Sequence, residues 1–243
     1  MKNSHSDPLT PQVVLGVAAH PDDLDFGASG TLAHFAQKGA KVYYLILTDG
    51  GKGTSDPNVS PETLIEARES EQRAAVAAIG GAGVDFLRYP DACLEVSMDL
   101  KKHIVAAIRK YKPDVVVTID PSMLYAAELG FINHPDHRAA GQAALDAVFP
   151  LARDHLSFPE LESESLTTHC TPTVLLINFN EHKYVVNISD TFTNKIDAIK
   201  AHNSQVSDSA EILRWISEMS GTVGQDQGFK YAEAFVRIDI KNT

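Results

Sequence analysis

Val13-Val14-Leu15-Gly16-Val17-Ala18-Ala19 is apolar without alternation, the pattern of a strand covered by helices on both faces. Behind it, residues 24–38 carry Leu32, Phe35 and Ala36 at helical spacing and stop at Gly39, where a left-handed C-cap is expected. The same succession then repeats. Residues 41–47 read as a second buried strand, and Ser60-Pro61-Glu62 as the capped start of a helix running to Ile79. Residues 84–89 predict a third strand, 97–111 an amphipathic helix with Leu100, Ile104, Val105 and Ile108 on one face, 114–119 a fourth strand and 135–149 the next helix. Strands that alternate with helices make βαβ units, and those close into a parallel sheet with right-handed crossovers. Periodicity lapses over residues 150–170. Beyond it, 173–177, 184–188 and 231–240 read as further strands around helices near 195–202 and 210–220. No Gly-, Ser- or Pro-rich linker intervenes, so residues 1–243 read as one α/β domain behind a flexible polar segment 1–12. Its sheet is mostly parallel, with helices on both faces and extra C-terminal strands.

Composition narrows the function. Lys and Arg number 21 against 32 Asp and Glu, a net charge of −11, and no basic run exceeds Lys101-Lys102. Such a surface repels a phosphate backbone, so no nucleic-acid partner is expected. The first apolar run ends at His20, too short for a membrane span, and residues 1–12 lack the apolar core of a signal peptide. Cys93 and Cys170 lie far apart without a CxxC companion, which excludes a disulfide framework and a zinc knuckle and points to a reduced, cytoplasmic protein. A homo-oligomer is left open.

Ligands of such sheets collect beyond the carboxyl ends of the strands. There this chain places His20-Pro21-Asp22-Asp23, Thr48-Asp49-Gly50, Asp120-Pro121 and, after a long connection, Asn133-His134-Pro135-Asp136-His137. A dinucleotide site would need glycines where Pro21, Asp22 and Asp23 stand, and those carboxylates would repel a pyrophosphate. They suit a cation. Catalytic zinc takes three protein ligands, commonly His and carboxylate, and His20, one of Asp22 and Asp23, and one of the later histidines supply that set. Adjacent carboxylates point in different directions, so one can bind metal while the other acts as a base. His134 and His137, three apart in a first helical turn, can share a face. An isolated Asp after a strand is as often a helix cap, and an isolated His is usually structural; the joint occurrence of HPDD and HPDH carries the reading. The glycines of residues 49–54 lack P-loop spacing and read as a mobile loop. The 120–133 connection exceeds the usual βα loop of about 2–6 residues, which places Tyr125 within reach of a substrate. His5, His34, His103, His155, His169 and His182 have no motif around them and read as structural or surface residues, and Trp215 reads as core.

Ala19-His20-Pro21-Asp22-Asp23, Gly30-Thr31-Leu32-Ala33 and His134-Pro135-Asp136-His137-Arg138-Ala139-Ala140-Gly141 together resemble the LmbE-like (PIG-L) family of zinc-dependent N-deacetylases. The likeness extends over most of the chain, through Thr48-Asp49-Gly50, Arg68 and Glu71 as RxxE, Pro113-Asp114-Val115-Val116, Lys200-Ala201-His202-Asn203-Ser204-Gln205 and Tyr231-Ala232-Glu233-Ala234-Phe235. The resemblance implies a Rossmann-like sheet, a Zn²⁺ on His20, Asp23 and His137, Asp22 as general base, and His134 helping to stabilise the oxyanion. It implies a small-molecule amino-sugar substrate, N-acetylglucosamine linked to another moiety, with amidases of thiol-sugar conjugates among the relatives. Arg68 matches a substrate-contacting position, and His202 one near the site. Within that mechanism His134 is expected to be protonated, Asp49 to bond sugar hydroxyls, and Asp136 to orient a histidine. Fe²⁺ or Co²⁺ would fit the same ligands. The chain departs from many members at Gly51-Lys52, where Glu often follows Asp-Gly, and that departure bears on the moiety linked to the sugar. A nucleotide-dependent oxidoreductase would need the missing glycine fingerprint, and a non-catalytic sugar-binding protein would need no base.

Overall fold

A computed structural model of the chain describes residues 8–181, 183–206 and 209–241, so His5 and His182 lie outside the described residues. The chain runs β1 (Val13–Ala18), α1 (Asp23–Gly27), α2 (Ser29–Gln37), β2 (Lys41–Thr48), α3 (Pro61–Ala78), β3 (Gly83–Tyr89), α4 (Met98–Tyr111) and β4 (Val115–Ile119). A small hairpin of β5 (Tyr125–Ala126) and β6 (Phe131–Ile132) follows, then α5 (Pro135–Asp146), α6 (Glu160–Ser163), β7 (Thr173–Ile177), β8 (Tyr184–Asn187), α7 (Phe192–Ala201), α8 (Ser209–Gln225) and β9 (Ala232–Asp239). The seven-stranded sheet has the order β3-β2-β1-β4-β7-β9-β8. From β3 to β7 the pairs are parallel; β9 inserts antiparallel between β7 and β8.

Strand side chains alternate between two buried layers. Val14, Ala18, Val42 and Ile46 join Leu32, Phe35 and Val76 on one face, while Leu15, Val17, Leu45 and Leu47 join Leu100, Ile104, Ala140 and Ala144 on the other. Burial on both faces is why β1 and β2 lack polar alternation. Among the described residues no helix is long and apolar enough to cross a membrane.

Four features depart from the local pattern. The helix expected over 24–38 breaks at Ala28, because the N–H groups of Gly30 and Thr31 donate to the Glu233 carboxylate (3.1 and 2.7 Å), itself paired with Lys195 Nζ at 2.6 Å. The aperiodic stretch after α5 is held instead by buried Arg109, whose guanidinium donates to the carbonyls of Leu151, Ala152, Asp154, Ser157 and Phe158. Of the segment expected to be flexible, residues 1–7 lie outside the described residues, while Leu9 N–H donates to Tyr184 Oη and Gln12 N–H to Asp114. Trp215, expected in the core, is 42% exposed on α8.

Strands β1 and β4 are neighbours whose connections leave in opposite directions, the crevice where doubly wound sheets bind ligands. Helix α5 reaches this edge because Gly141 lies against the end of β4; a Cβ there would stand 2.1 Å from Ile119 O. Gly141→Ala should therefore lower stability by about 1–3 kcal/mol, several degrees in Tm. An unchanged melting curve would show that α5 is free to shift.

Candidate metal centre

The centre is assembled at the carboxyl ends of β1, β3 and β4. Beyond β1 the chain turns through Asp22, whose φ of +99° is a conformation few non-glycine residues adopt. Such strain costs on the order of 1–3 kcal/mol and must be held by its surroundings. Here α3 holds it: Gln72 Oε1 accepts the Asp22 N–H at 2.9 Å, and Arg68 Nη2 donates to Pro21 O at 2.6 Å. The turn separates two adjacent carboxylates. Asp22 faces Arg68 (3.2 Å), while Asp23 faces two histidines.

His137 Nε2 lies 2.9 Å from Asp23 Oδ1 and 3.2 Å from His20 Nδ1, and His20 Nδ1 lies 3.6 Å from Asp23 Oδ2. Ligands of a tetrahedral zinc with bonds of about 2.0–2.1 Å stand about 3.3 Å apart; the two ring nitrogens stand at that spacing, and Asp23 meets each of them with a different carboxylate oxygen. His134 also brings a ring nitrogen within 4.8 Å of those of His20 and His137. It is the poorer third ligand, because its Nδ1 already accepts the Asp136 N–H as the cap of α5 (3.1 Å).

Each of the His20 and His137 rings is aimed by a partner on its far side. His20 Nε2 meets Asp91 Oδ1 at 3.1 Å and Asp136 Oδ2 at 3.4 Å, which leaves Nδ1 turned to the centre. His137 Nδ1 meets Asn133 Oδ1 at 3.0 Å, and Asn133 is itself fixed by donating to Met123 O. Such partners set which nitrogen carries the proton and which offers a lone pair. The charge balance also favours a cation. Burial opposes charge on His20, yet Asp23, Asp136 and Asp91 outweigh it and push its pKa up to about 12. A proton there occupies a place that suits a metal. Burial likewise pushes the Asp22 carboxyl up to about 6, against the pull of the Arg68 guanidinium. For His134, burial and the neighbouring His20 and His137 lower the pKa. With Nδ1 accepting a helix N–H, both effects favour the neutral imidazole with its proton on Nε2 over the protonated ring expected.

The remaining candidates are placed differently from their expected roles. Arg68 is 3% exposed, and its guanidinium donates to Pro21 O, Gly50 O and Asp22 while it also lines the polar cavity in front of Asp22. Asp49 Oδ1 accepts the N–H groups of Gly51 and Asp91 and shapes the loop. His202 is 0% exposed, with Nε2 2.9 Å from Asp25 Oδ2. Its segment is a clasp: Ser204 bonds Glu71, and Gln205 donates to Gly53 O. Tyr125, 58% exposed on the hairpin, is not among the residues lining the polar cavity of about 460 Å³ in front of His20, Asp22 and His134. Asp91 and Gln72 carry no expectation from the sequence, and Asn133 carries none of its own within the HPDH segment. Asp91 follows β3 as Asp22 follows β1, and that position was the available signal; Gln72 carried none, since its importance lies in contacts 50 residues away.

Asp91→Asn and Asn133→Ala should each weaken metal affinity about 10–100-fold by releasing a ligating ring. Competition with a chromophoric chelator measures this, and affinities equal to wild type would mean that the rings need no such partners.

Residues 15–148 match the family model described as PIG-L, GlcNAc-PI de-N-acetylase. The chain is 31% identical over 222 residues to a diacetylchitobiose deacetylase of Thermococcus kodakarensis, across 90% of this chain and 80% of that protein. It is 32% identical over 179 residues to a 1D-myo-inositol 2-acetamido-2-deoxy-alpha-D-glucopyranoside deacetylase of Rhodococcus erythropolis, across 60% of this chain and 58% of that one. Among solved structures, the N,N'-diacetylchitobiose deacetylase of Pyrococcus horikoshii superposes with a TM-score of 0.86 at 27% identity, over 94% of this chain and 84% of that one. With more than half of its length matched and its sheet shared, the chain belongs to the PIG-L family of de-N-acetylases.

Proposed function

We propose that this chain is a metal-dependent hydrolase that removes the N-acetyl group from an N-acetylglucosamine unit of a small molecule. The observation that carries the reading is the convergence of His20 Nδ1, Asp23 and His137 Nε2, with the Asp22 carboxylate facing the same polar cavity. The two relatives support the substrate class, since diacetylchitobiose and the inositol glycoside share a 2-acetamidoglucose unit.

A zinc ion on His20, Asp23 and His137 would supply the Lewis acidity that polarises an amide carbonyl and makes water nucleophilic near neutral pH. Asp22 takes the proton of the attacking water at Oδ1, the oxygen that Arg68 leaves free, and returns it to the amine nitrogen as the C–N bond breaks. His134 offers its Nε2–H to the oxyanion, a donor fixed in advance by the helix it caps. Lys52 lines the cavity with its ammonium 3.4 Å from Cys93 Sγ, in place to meet the group attached to the sugar. The exposed, unpaired Cys93 and Cys170 suit the reducing cytoplasm.

Metal analysis and acetate release from N-acetylglucosamine and diacetylchitobiose test the reading. His20→Ala, Asp23→Ala and His137→Ala should each lose the metal, and metal affinity should rise with pH, because a metal has to displace the proton that the surrounding carboxylates hold on His20. Asp22→Asn should keep the metal and lower kcat by about 10²–10⁴, Asn being a residue that tolerates the positive φ. Loaded wild-type protein that releases no acetate, or an Asp22→Asn variant of near wild-type rate, would overturn the assignment. Arg68→Gln should lower kcat with KM little changed; a raised KM at constant kcat would make Arg68 a substrate contact after all.

A further inference from the structure

Two cavities of unlike chemistry open at the metal centre. The polar one holds Asp22, Arg68, Asp91 and His134. The other, of about 430 Å³, is walled by Phe26, Met123, Leu129, Phe131, Phe179 and Trp215. Asp23, Phe131 and His137 line both, so the cavities meet at the ligand set itself.

An amide has an amine half and an acyl half, and the chain's own groups decide which goes where. Asp22 and His134 line the polar cavity and not the apolar one. The leaving nitrogen has to come within hydrogen-bond reach of Asp22 to recover a proton, so the hydroxylated sugar occupies the polar cavity. The substituent on the acyl carbon then points the other way, past Asp23 and His137. An acetyl methyl fills little of the cavity of about 430 Å³ that it finds there.

We propose that the apolar cavity is an acyl-chain site, and that this chain hydrolyses N-acyl glucosamines whose acyl chains are longer than acetyl in preference to acetyl. The inference rests on the reading of the centre as an amide hydrolase. The reaction is the same one: a water oxygen bonds to the acyl carbon, the C–N bond breaks, the chain leaves as a carboxylate, and the freed amine keeps the transferred proton.

A series of N-acetyl-, N-butyryl-, N-hexanoyl- and N-octanoylglucosamine, read by free amine, tests it. Full burial of a methylene is worth up to about fourfold, so kcat/KM should climb severalfold per methylene until the cavity is filled. Trp215→Ala should reduce the hexanoyl-to-acetyl ratio about tenfold or more. Trp215 is the chain's one tryptophan, which gives a readout independent of turnover: N-hexanoylglucosamine added to metal-free protein should shift its fluorescence saturably, and N-acetylglucosamine should not. Acetyl cleaved with longer chains rejected, a ratio unmoved in Trp215→Ala, or an unresponsive tryptophan would each overturn the acyl site while the deacetylase reading stands. Failure of every substrate on metal-loaded protein would overturn both.

Discussion

The carboxylates of Asp22, Asp23, Asp91 and Asp136 converge on one largely buried edge of the sheet, and the local structure follows from the need to balance them. Carboxylates in a low-dielectric setting repel one another and lose hydration, so each must find a cation or a set of donors. Asp22 has Arg68, Asp136 has the N–H groups of Ala92 and Leu94, Asp91 has the N–H of Lys52, and Asp23 has two imidazoles. A divalent ion on the His20, Asp23 and His137 atoms would complete that balance. The same demand explains why a guanidinium and a glutamine are buried on α3 at the spacing of one helical turn, where neither adds to a hydrophobic core.

Backbone groups serve this arrangement as much as side chains do. The strained turn at Asp22 points two neighbouring acids at different partners, and its cost is met by Gln72 and Arg68. The first turn of α5 caps itself with His134, which fixes that ring as a neutral donor without spending a charge. Helix α5 lies close enough to β4 to deliver His137 because residue 141 has no Cβ. The clasp of His202, Ser204 and Gln205 joins α1, α3 and the glycine loop, so residues matched through family resemblance hold the rim of the site together from behind.

The centre is also lopsided. One side is built from charged and hydrogen-bonding groups that suit a sugar; the other is walled by aromatic and aliphatic side chains from α1, the β5–β6 hairpin, the segment after β7, and α8. Elements contributed late in the chain thus complete a site whose chemistry comes from its first 140 residues.

The parallel half of the fold was legible in the sequence because burial on both faces makes β1, β2 and β4 uniformly apolar, and helices between them leave few topologies. HPDD and HPDH stood out for a similar reason, since His, Asp and Pro have no packing use directly after a buried strand, and the structure brings the two motifs to one sheet edge. What remained hidden depends on contacts between residues far apart in sequence. The break at Ala28 is set by Glu233, the aim of His20 by Asp91 and Asp136, and the orientation of Asp22 by Gln72, none of which leaves a periodic trace. Arg68 and His202 have side chains that suit substrate binding, and only the structure shows that both are buried and bonded to other parts of the chain. The sequence by itself determined which residues can do chemistry; the tertiary structure decided which way each one points, because orientation is set by partners that the chain brings together only on folding.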